Sequence, residues 1–438
     1  MRLCYLCFSI LLLLSLKSCF TIDNQYTGLA PGPWRATIDL SELSGAPRVA
    51  ELEEEQYDFN DTPPNHLPFN FEVHYTNEED FYLELQNGEE RIKVTDIQIG
   101  RDRRTNRDTF LIDFPVYDSY LKGIFMGRVM QGQWVVKNRT NYSLPFVAKF
   151  GKNHRFTQLK ETPALDVSGT WEVMFEDSDG PYPGIGEFTQ EGNEVRGTFL
   201  TETGDYRYLE GTIQKDKLYL SVFDGAHAFL FEAKVLEDKS LIGLFKSGRH
   251  YQATWTAKKN DEATLTAPTE LTFMKEATNA FDFSFENAEG QMISLQDEQY
   301  QDKVKLVQIF GTWCPNCRDE TKFLVNYFKE HPNDQIAIVG LAFEKHKDQE
   351  KAKDKLRTYK QRMGIPYELV LAGTSDKSDA SKVLSMLNKV ISYPTLLFLN
   401  KKNEVVKIHT GFSGPATSKY EEFVSAFEKT IEKLVSSD

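Results

Sequence analysis

The segment KVKLVQIFGTWCPNCRDE, residues 303–320, constrains the fold of this 438-residue chain more than any other. An apolar run bounded by glycine reads as a buried strand. Cys314 and Cys317 follow, two residues apart, and Phe323, Leu324, Tyr327 and Phe328 then recur at helical spacing. The predicted order is strand, dithiol, helix. It puts Cys314 at a helix N-terminus, where unpaired N–H groups and the positive end of the dipole favour a thiolate. Cys317, one turn further in, is near enough to attack a mixed disulfide formed on Cys314. Pro315 suits an early helical position, where its missing N–H is no loss. Cys314 is read as the attacking nucleophile and Cys317 as the resolving thiol.

Rival uses of such a pair are weaker. A zinc site needs about four ligands, commonly from two such pairs, and beyond the leader, where Cys4 and Cys7 stand, the sequence has neither a second pair nor a nearby histidine. A purely structural disulfide closing so short a loop stabilises little. No metal is expected, and no cofactor beyond the redox-active cysteine pair. The other three cysteines, Cys4, Cys7 and Cys19, fall in the first twenty residues, so the body of the chain offers no disulfide framework.

Those first residues, MRLCYLCFSILLLLSLKSCF, have one arginine before an apolar stretch from Leu3 to Leu16. The stretch is short for a membrane span and suits the core of an export signal; a short membrane anchor is the rival reading. Leu16-Lys17-Ser18-Cys19 resembles a bacterial lipobox, with Lys17 as the departure. That resemblance implies a signal peptide over 1–19 and lipidation at Cys19, whose acyl chains would hold a soluble body on a membrane. The formal charge is −14, and two units more negative without Arg2 and Lys17. An acidic chain argues against nucleic acid as a partner. The sequons at Asn60, Asn138 and Asn141 matter only under eukaryotic export, and the lipobox favours a bacterial envelope.

At this length two or three domains are expected. Residues 20–32 read as a tether. From there to about 258, short alternating runs such as WEVMFED (171–177) are broken by Gly, Asn and Asp. This is the pattern of antiparallel meanders or barrels. GPWRATID at 32–39 echoes GTWEVMFE at 169–176, each ahead of a run of strands and a closing tryptophan, Trp134 or Trp255. Two related β modules are therefore expected, over 33–160 and 166–258. Their aromatics (Tyr206, Tyr208, Phe229, Phe231, Trp255) are read as core first and as a binding surface second. A charged, proline-containing seam at 259–272 is read as a linker. Beyond it, over 273–438, strands alternate with helices and an antiparallel hairpin follows, which describes a mixed α/β sheet. The polar helix near 348–363 is expected to present a solvated, lysine-rich face.

FGTWCPNC, with SYPTLLFLNKKNEVV some 80 residues later, resembles the thioredoxin superfamily, and more narrowly its TlpA/ResA-like branch of exported thiol–disulfide oxidoreductases. The fold class implied is an N-terminal all-β region followed by an α/β thioredoxin-like domain. The resemblance implies a cis bond at Pro394, facing the dithiol. It also implies a substrate-binding surface formed by Trp313, Pro315, Tyr393, Pro394 and Thr395, where an extended substrate strand pairs beside the sulfurs. Thioredoxins carry a buried Asp six residues before the first cysteine; Gln308 stands there and cannot titrate. The TlpA/ResA-like branch has a carboxylate three residues after the second cysteine, matched by Glu320, which is expected to be partly buried and to exchange the Cys317 proton. A kinking proline usually follows that Glu by two residues; Lys322 occupies its place, so a straighter helix is expected.

The expected function is a membrane-tethered periplasmic thiol–disulfide oxidoreductase working as a reductase. Its partners would be a disulfide-containing protein or small-thiol substrate, a membrane electron donor and a lipid anchor. Two other readings stand beside it. A thiol peroxidase would need Thr three residues before Cys314, where Gly311 stands, with Thr312 one place off. A ligand- or partner-binding lipoprotein would use the β modules.

Overall fold

The computed structural model describes residues 28–41, 61–275 and 280–437. The leader with Cys19, the tether up to residue 27 and the sequon residue Asn60 lie outside them. Residues 28–32 already belong to the first folded unit: Leu29 is buried in its core and Gly32 opens its first strand.

That unit is an antiparallel sheet of nine strands between Gly32 and Phe150. The first strand, Gly32–Asp39, pairs with the second, His66–Tyr75, and with the last, Ser143–Phe150. The sheet's two edges are Glu90–Val94 and Ile97–Asp102, neighbours in the chain that do not pair with each other, so it stays open there.

The second unit closes. Eight strands from Gly169–Asp177 to Tyr251–Lys259 pair in a ring: the first joins the last, and Gly180–Glu191 also pairs with Glu194–Thr201. Alternation sends Trp171, Val173 and Phe175 inward while Glu172, Met174 and Glu176 face out, the period-two rule of a half-buried strand. The interior is filled, with Phe231 stacked between Phe199 and Phe245 at 4.5 and 4.3 Å.

The echo between the modules extends to atomic detail. Gly32 and Gly169 have φ of +112° and +107°, a backbone region open to glycine. Two residues on, Trp34 and Trp171 are buried, and each indole N–H donates to the carbonyl four residues earlier, Ala30 at 2.9 Å and Val167 at 2.8 Å. The closing tryptophans are not equivalent: Trp255 lies on the last strand of its module and Trp134 on the one before last.

Beyond Lys259 the seam is not a free linker. It forms a helical turn at Pro268–Leu271, and the Asn388 amide donates to the Leu271 carbonyl at 3.2 Å. The last unit is a five-stranded sheet in the order Glu368–Thr374, Ile336–Glu344, Val304–Phe310, Thr395–Leu399, Val405–Thr410. The first three strands are parallel and the last two antiparallel. Val304–Phe310 is buried at every position, as a central strand covered on both faces must be. Its helices are α1 (Pro315–Glu330), α2 (Gln349–Met363), α3 (Lys377–Val383) and α4 (Tyr420–Ser436). With Lys322 in place of a proline, α1 is unbroken. The Asp376 carboxylate caps α3, accepting from the N–H groups of Ser378 and Asp379.

The three units pack on one another. The polar face of α2 grips the first module, contrary to its expected solvation: Lys355 pairs with Asp118, and Arg362 with Asp96 at 3.0 and 2.6 Å. Arg207 of the second module is buried among Glu90 of the first, Asp224 of its own barrel and Asp319 of α1.

Candidate active site

The strand Val304–Phe310 ends in Gly311, and the chain turns into α1 through Thr312 and Trp313. A side chain at 311 would stand 2.3 Å from the Trp313 indole nitrogen. Glycine therefore lets that ring fold back, where its N–H donates to the Phe343 carbonyl at 2.9 Å. The Thr312 amide and hydroxyl both donate to the buried Glu344 carboxylate at 2.9 Å.

Cys314 is the N-cap of α1. Its sulfur accepts the Cys317 backbone N–H at 3.3 Å, and its thiol reaches the Tyr393 carbonyl at 3.4 Å. Pro315 occupies the first helical position. Cys314 keeps 6% exposure, whereas Cys317 has none. The pair is in the free-thiol form. Burial, reinforced by the hydrogen bond to Cys314, holds the Cys317 thiol well above its ordinary range. One thiol is presented and the other held protonated behind it, as an attacking and a resolving cysteine require.

The loop carrying Tyr393 and Pro394 lies across the dithiol, and the Tyr393–Pro394 bond is cis. The Tyr393 ring meets Trp313 edge-on at 5.7 Å. Thr395, expected on the substrate surface, is fully buried, and its hydroxyl donates to the Ser392 carbonyl at 2.9 Å. It braces the loop.

Behind the dithiol, Glu320 has 0% exposure, deeper than the partial burial expected. The Gln308 amide donates to one of its oxygens at 2.9 Å, while the other has no partner among the described residues. Thr321 and Tyr359 extend the chain of hydrogen bonds from the far side of Gln308. Burial pushes the Glu320 carboxyl up to about 8 against the pull of Gln308. A carboxyl that holds its proton near neutrality, one turn of helix from Cys317, can give and take the proton of thiol exchange. Gln308, which cannot titrate, has become the partner that orients it.

Part of the site had no signal in the sequence. Cys314 opens on a cavity of about 480 Å³ whose walls include Trp313 and Lys345 of its own domain, Arg139 of the first module, and Tyr206, Phe229 and His250 at the end of the barrel. Phe229 serves both as core and as wall, Phe231 and Trp255 as core.

A family model described as the AhpC/TSA family matches residues 277–408. Thioredoxin-like protein YneN of Bacillus subtilis is 28% identical over 138 residues, 32% of this chain and 73% of the relative. Thiol-disulfide oxidoreductase ResA of the same organism is 25% identical over 138 residues, 32% of this chain and 69% of its own. The match to a solved thiol-disulfide oxidoreductase from Bacteroides fragilis covers 33% of this chain and 98% of that one at 18% identity, with a TM-score of 0.26. The sheet order, the dithiol capping α1 and the sequence relatives place the C-terminal domain in the thioredoxin superfamily. Within it the domain is TlpA/ResA-like, similar to the domain of relatives that are named thiol–disulfide oxidoreductases.

Proposed function

We propose that the chain is a membrane-tethered reductase of the bacterial cell envelope that acts through Cys314 and Cys317. The Cys314 sulfur attacks a substrate disulfide, forming a mixed disulfide and releasing one substrate thiol. Cys317 then attacks the Cys314 sulfur and releases the second, leaving the Cys314–Cys317 disulfide. The dithiol itself carries the two electrons. In its ionised form Glu320 accepts the Cys317 proton as that thiol attacks, and it returns the proton on re-reduction. The observation that carries this reading is the Cys314 sulfur, set at the start of α1 on the Cys317 N–H with the buried Glu320 carboxyl behind it.

The direction rests on Pro315 and Asn316, which bring no cation into the motif to stabilise the thiolate strongly, so a reducing centre is expected. Re-reduction then calls for an electron donor at the membrane. Disulfide-bearing substrates outside the cytoplasm and a lipid anchor on Cys19 complete the proposal. Among the described residues no helix is long and apolar enough to cross a membrane. The test is the reduction potential of the full chain in dithiothreitol and glutathione buffers. A value below about −230 mV supports a reductase; one near about −120 mV would make it an oxidant. Cys317→Ser should accumulate the mixed disulfide on Cys314, visible by mass, and its absence would remove the assigned roles.

The AhpC/TSA match favours thiol peroxidase as a second reading. Against it, Gly311 stands three residues before Cys314, and the Thr312 hydroxyl is engaged by Glu344. Turnover of hydrogen peroxide with a thiol reductant would establish it.

A further inference from the structure

The side of the dithiol where a substrate strand would pair is covered by the protein's own barrel. A tip at Thr203–Asp205 sits on the loop before Pro394 and on the start of α1. The Ser392 hydroxyl donates to the Thr203 carbonyl at 2.8 Å, and the Asn316 amide to the Asp205 carbonyl at 3.3 Å. The Asp205 carboxylate accepts the Gly414 N–H at 2.7 Å. The apposition leaves no slack: a Cβ on Gly204, at φ +137°, would stand 2.1 Å from the Asn316 amide nitrogen. Insertion of a polypeptide strand would require this tip to lift.

What remains open to Cys314 is the cavity of about 480 Å³, a volume in the range of small-molecule sites. Its aromatic wall comes from the barrel, and its fixed cations are Arg139 and Lys345. The Lys345 ammonium lies 4.5 Å from the centre of the Trp313 ring, and the Arg139 guanidinium 5.2 Å from that of Tyr142. Among the described residues neither forms an ion pair with a carboxylate. Asp205, the acid on this wall, is held by the N–H groups of Gly414 and Arg207.

Building on the exchange reading above, we infer that the substrate is a small disulfide bearing carboxylates or a like anionic group, received in this chamber between the barrel and the dithiol. Arg139 and Lys345 bind the anion while Cys314 attacks the substrate sulfur. The substrate S–S bond breaks as the Cys314–S bond forms; Cys317 then closes the protein disulfide. Two small thiols leave, reduced by the two electrons the dithiol loses.

The test mixes the pre-reduced full chain with 3,3′-dithiodipropionate, 2-hydroxyethyl disulfide and cystamine, which are anionic, neutral and cationic. Each rate, followed by alkylation and mass, is divided by that of free dithiothreitol with the same disulfide. The expected order is anionic, neutral, cationic, with about tenfold between the extremes from charge complementarity. The ratio should shrink toward one in Arg139→Gln, Lys345→Gln and the double variant. Equal rates across the three, or a ratio unmoved by the variants, overturns the inference and leaves the exchange reading standing. So does faster oxidation by insulin, a polypeptide disulfide, than by dithiodipropionate. No oxidation by any of them removes the exchange reading, and this inference with it.

Discussion

In the first β module, Gly32–Trp34 leads into a sheet that stays open between Glu90–Val94 and Ile97–Asp102, whereas in the second, Gly169–Trp171 leads into a ring of hydrogen bonds that closes. The same opening device serves both, and the uses diverge from there. The open module holds the thioredoxin-like domain from the side through its turns: Asp96, in the gap between its edges, pairs with Arg362, and Asp118 with Lys355. The closed barrel presents its end instead, with an aromatic rim and a tip laid against the dithiol. One module grips the domain and lends Arg139 to the cavity, and the other supplies its aromatic wall.

The largest effect should come where both modules and α1 meet. Arg207→Met leaves Glu90, Asp224 and Asp319 without their shared cation. Breaking a buried ion cluster of this kind costs about 3–5 kcal/mol. In chemical denaturation the β and thioredoxin-like transitions should both shift to lower denaturant. A loss confined to the barrel would mean that the units are not energetically joined.

Next in size is a test that isolates the dithiol domain from that coupling. Folded Glu320 titrates near 8 against 4.5 for a free carboxyl. Its contribution to stability is therefore fully present below about pH 4.5 and lost as pH rises through about 8. Glu320→Gln removes that slope, so the variant should gain on the native chain across this window by a few kcal/mol at most. Parallel stability curves from pH 4.5 to 8 would contradict the burial argument. Near neutrality the variant should also exchange disulfides more slowly.

The likeness of the modules is probed by Trp34→Phe and Trp171→Phe. Each loses an indole N–H bond to the carbonyl four residues back and part of a buried ring, a cost of about 1–2 kcal/mol. Equal costs sustain the equivalence; a neutral result at one position breaks it. Smallest of all, Arg362→Ala should cost less than about 1 kcal/mol, since the Arg362–Asp96 pair is partly exposed and screened by solvent. A larger loss would show that the open module's grip is more than peripheral.

Much of the dithiol domain was legible because its signals are local. An apolar run, CxxC with proline and a 3.6-residue apolar spacing specify strand, cap and helix within thirty residues. Thr395 turns inward, and a short motif does not say which side chains of a loop do so. Lys355 of α2 lies against the first module, which stayed hidden for a related reason: a polar face reads as solvated until another module is found against it. Arg139, Asp205, Arg207 and Lys345 carry no periodicity or motif that links them to Cys314.

What the sequence determined by itself was the dithiol, the order of strands and helices, and the repeated Gly-x-Trp opening of the β modules. Each rests on backbone conformation and side-chain spacing over a few turns. The tertiary structure alone decided that one sheet closes and the other does not, and that Glu320 is wholly dry. It also decided that residues more than a hundred positions from Cys314 wall its cavity. Those outcomes depend on which surfaces meet when separate units bury their apolar faces together, a choice made by packing across the whole chain.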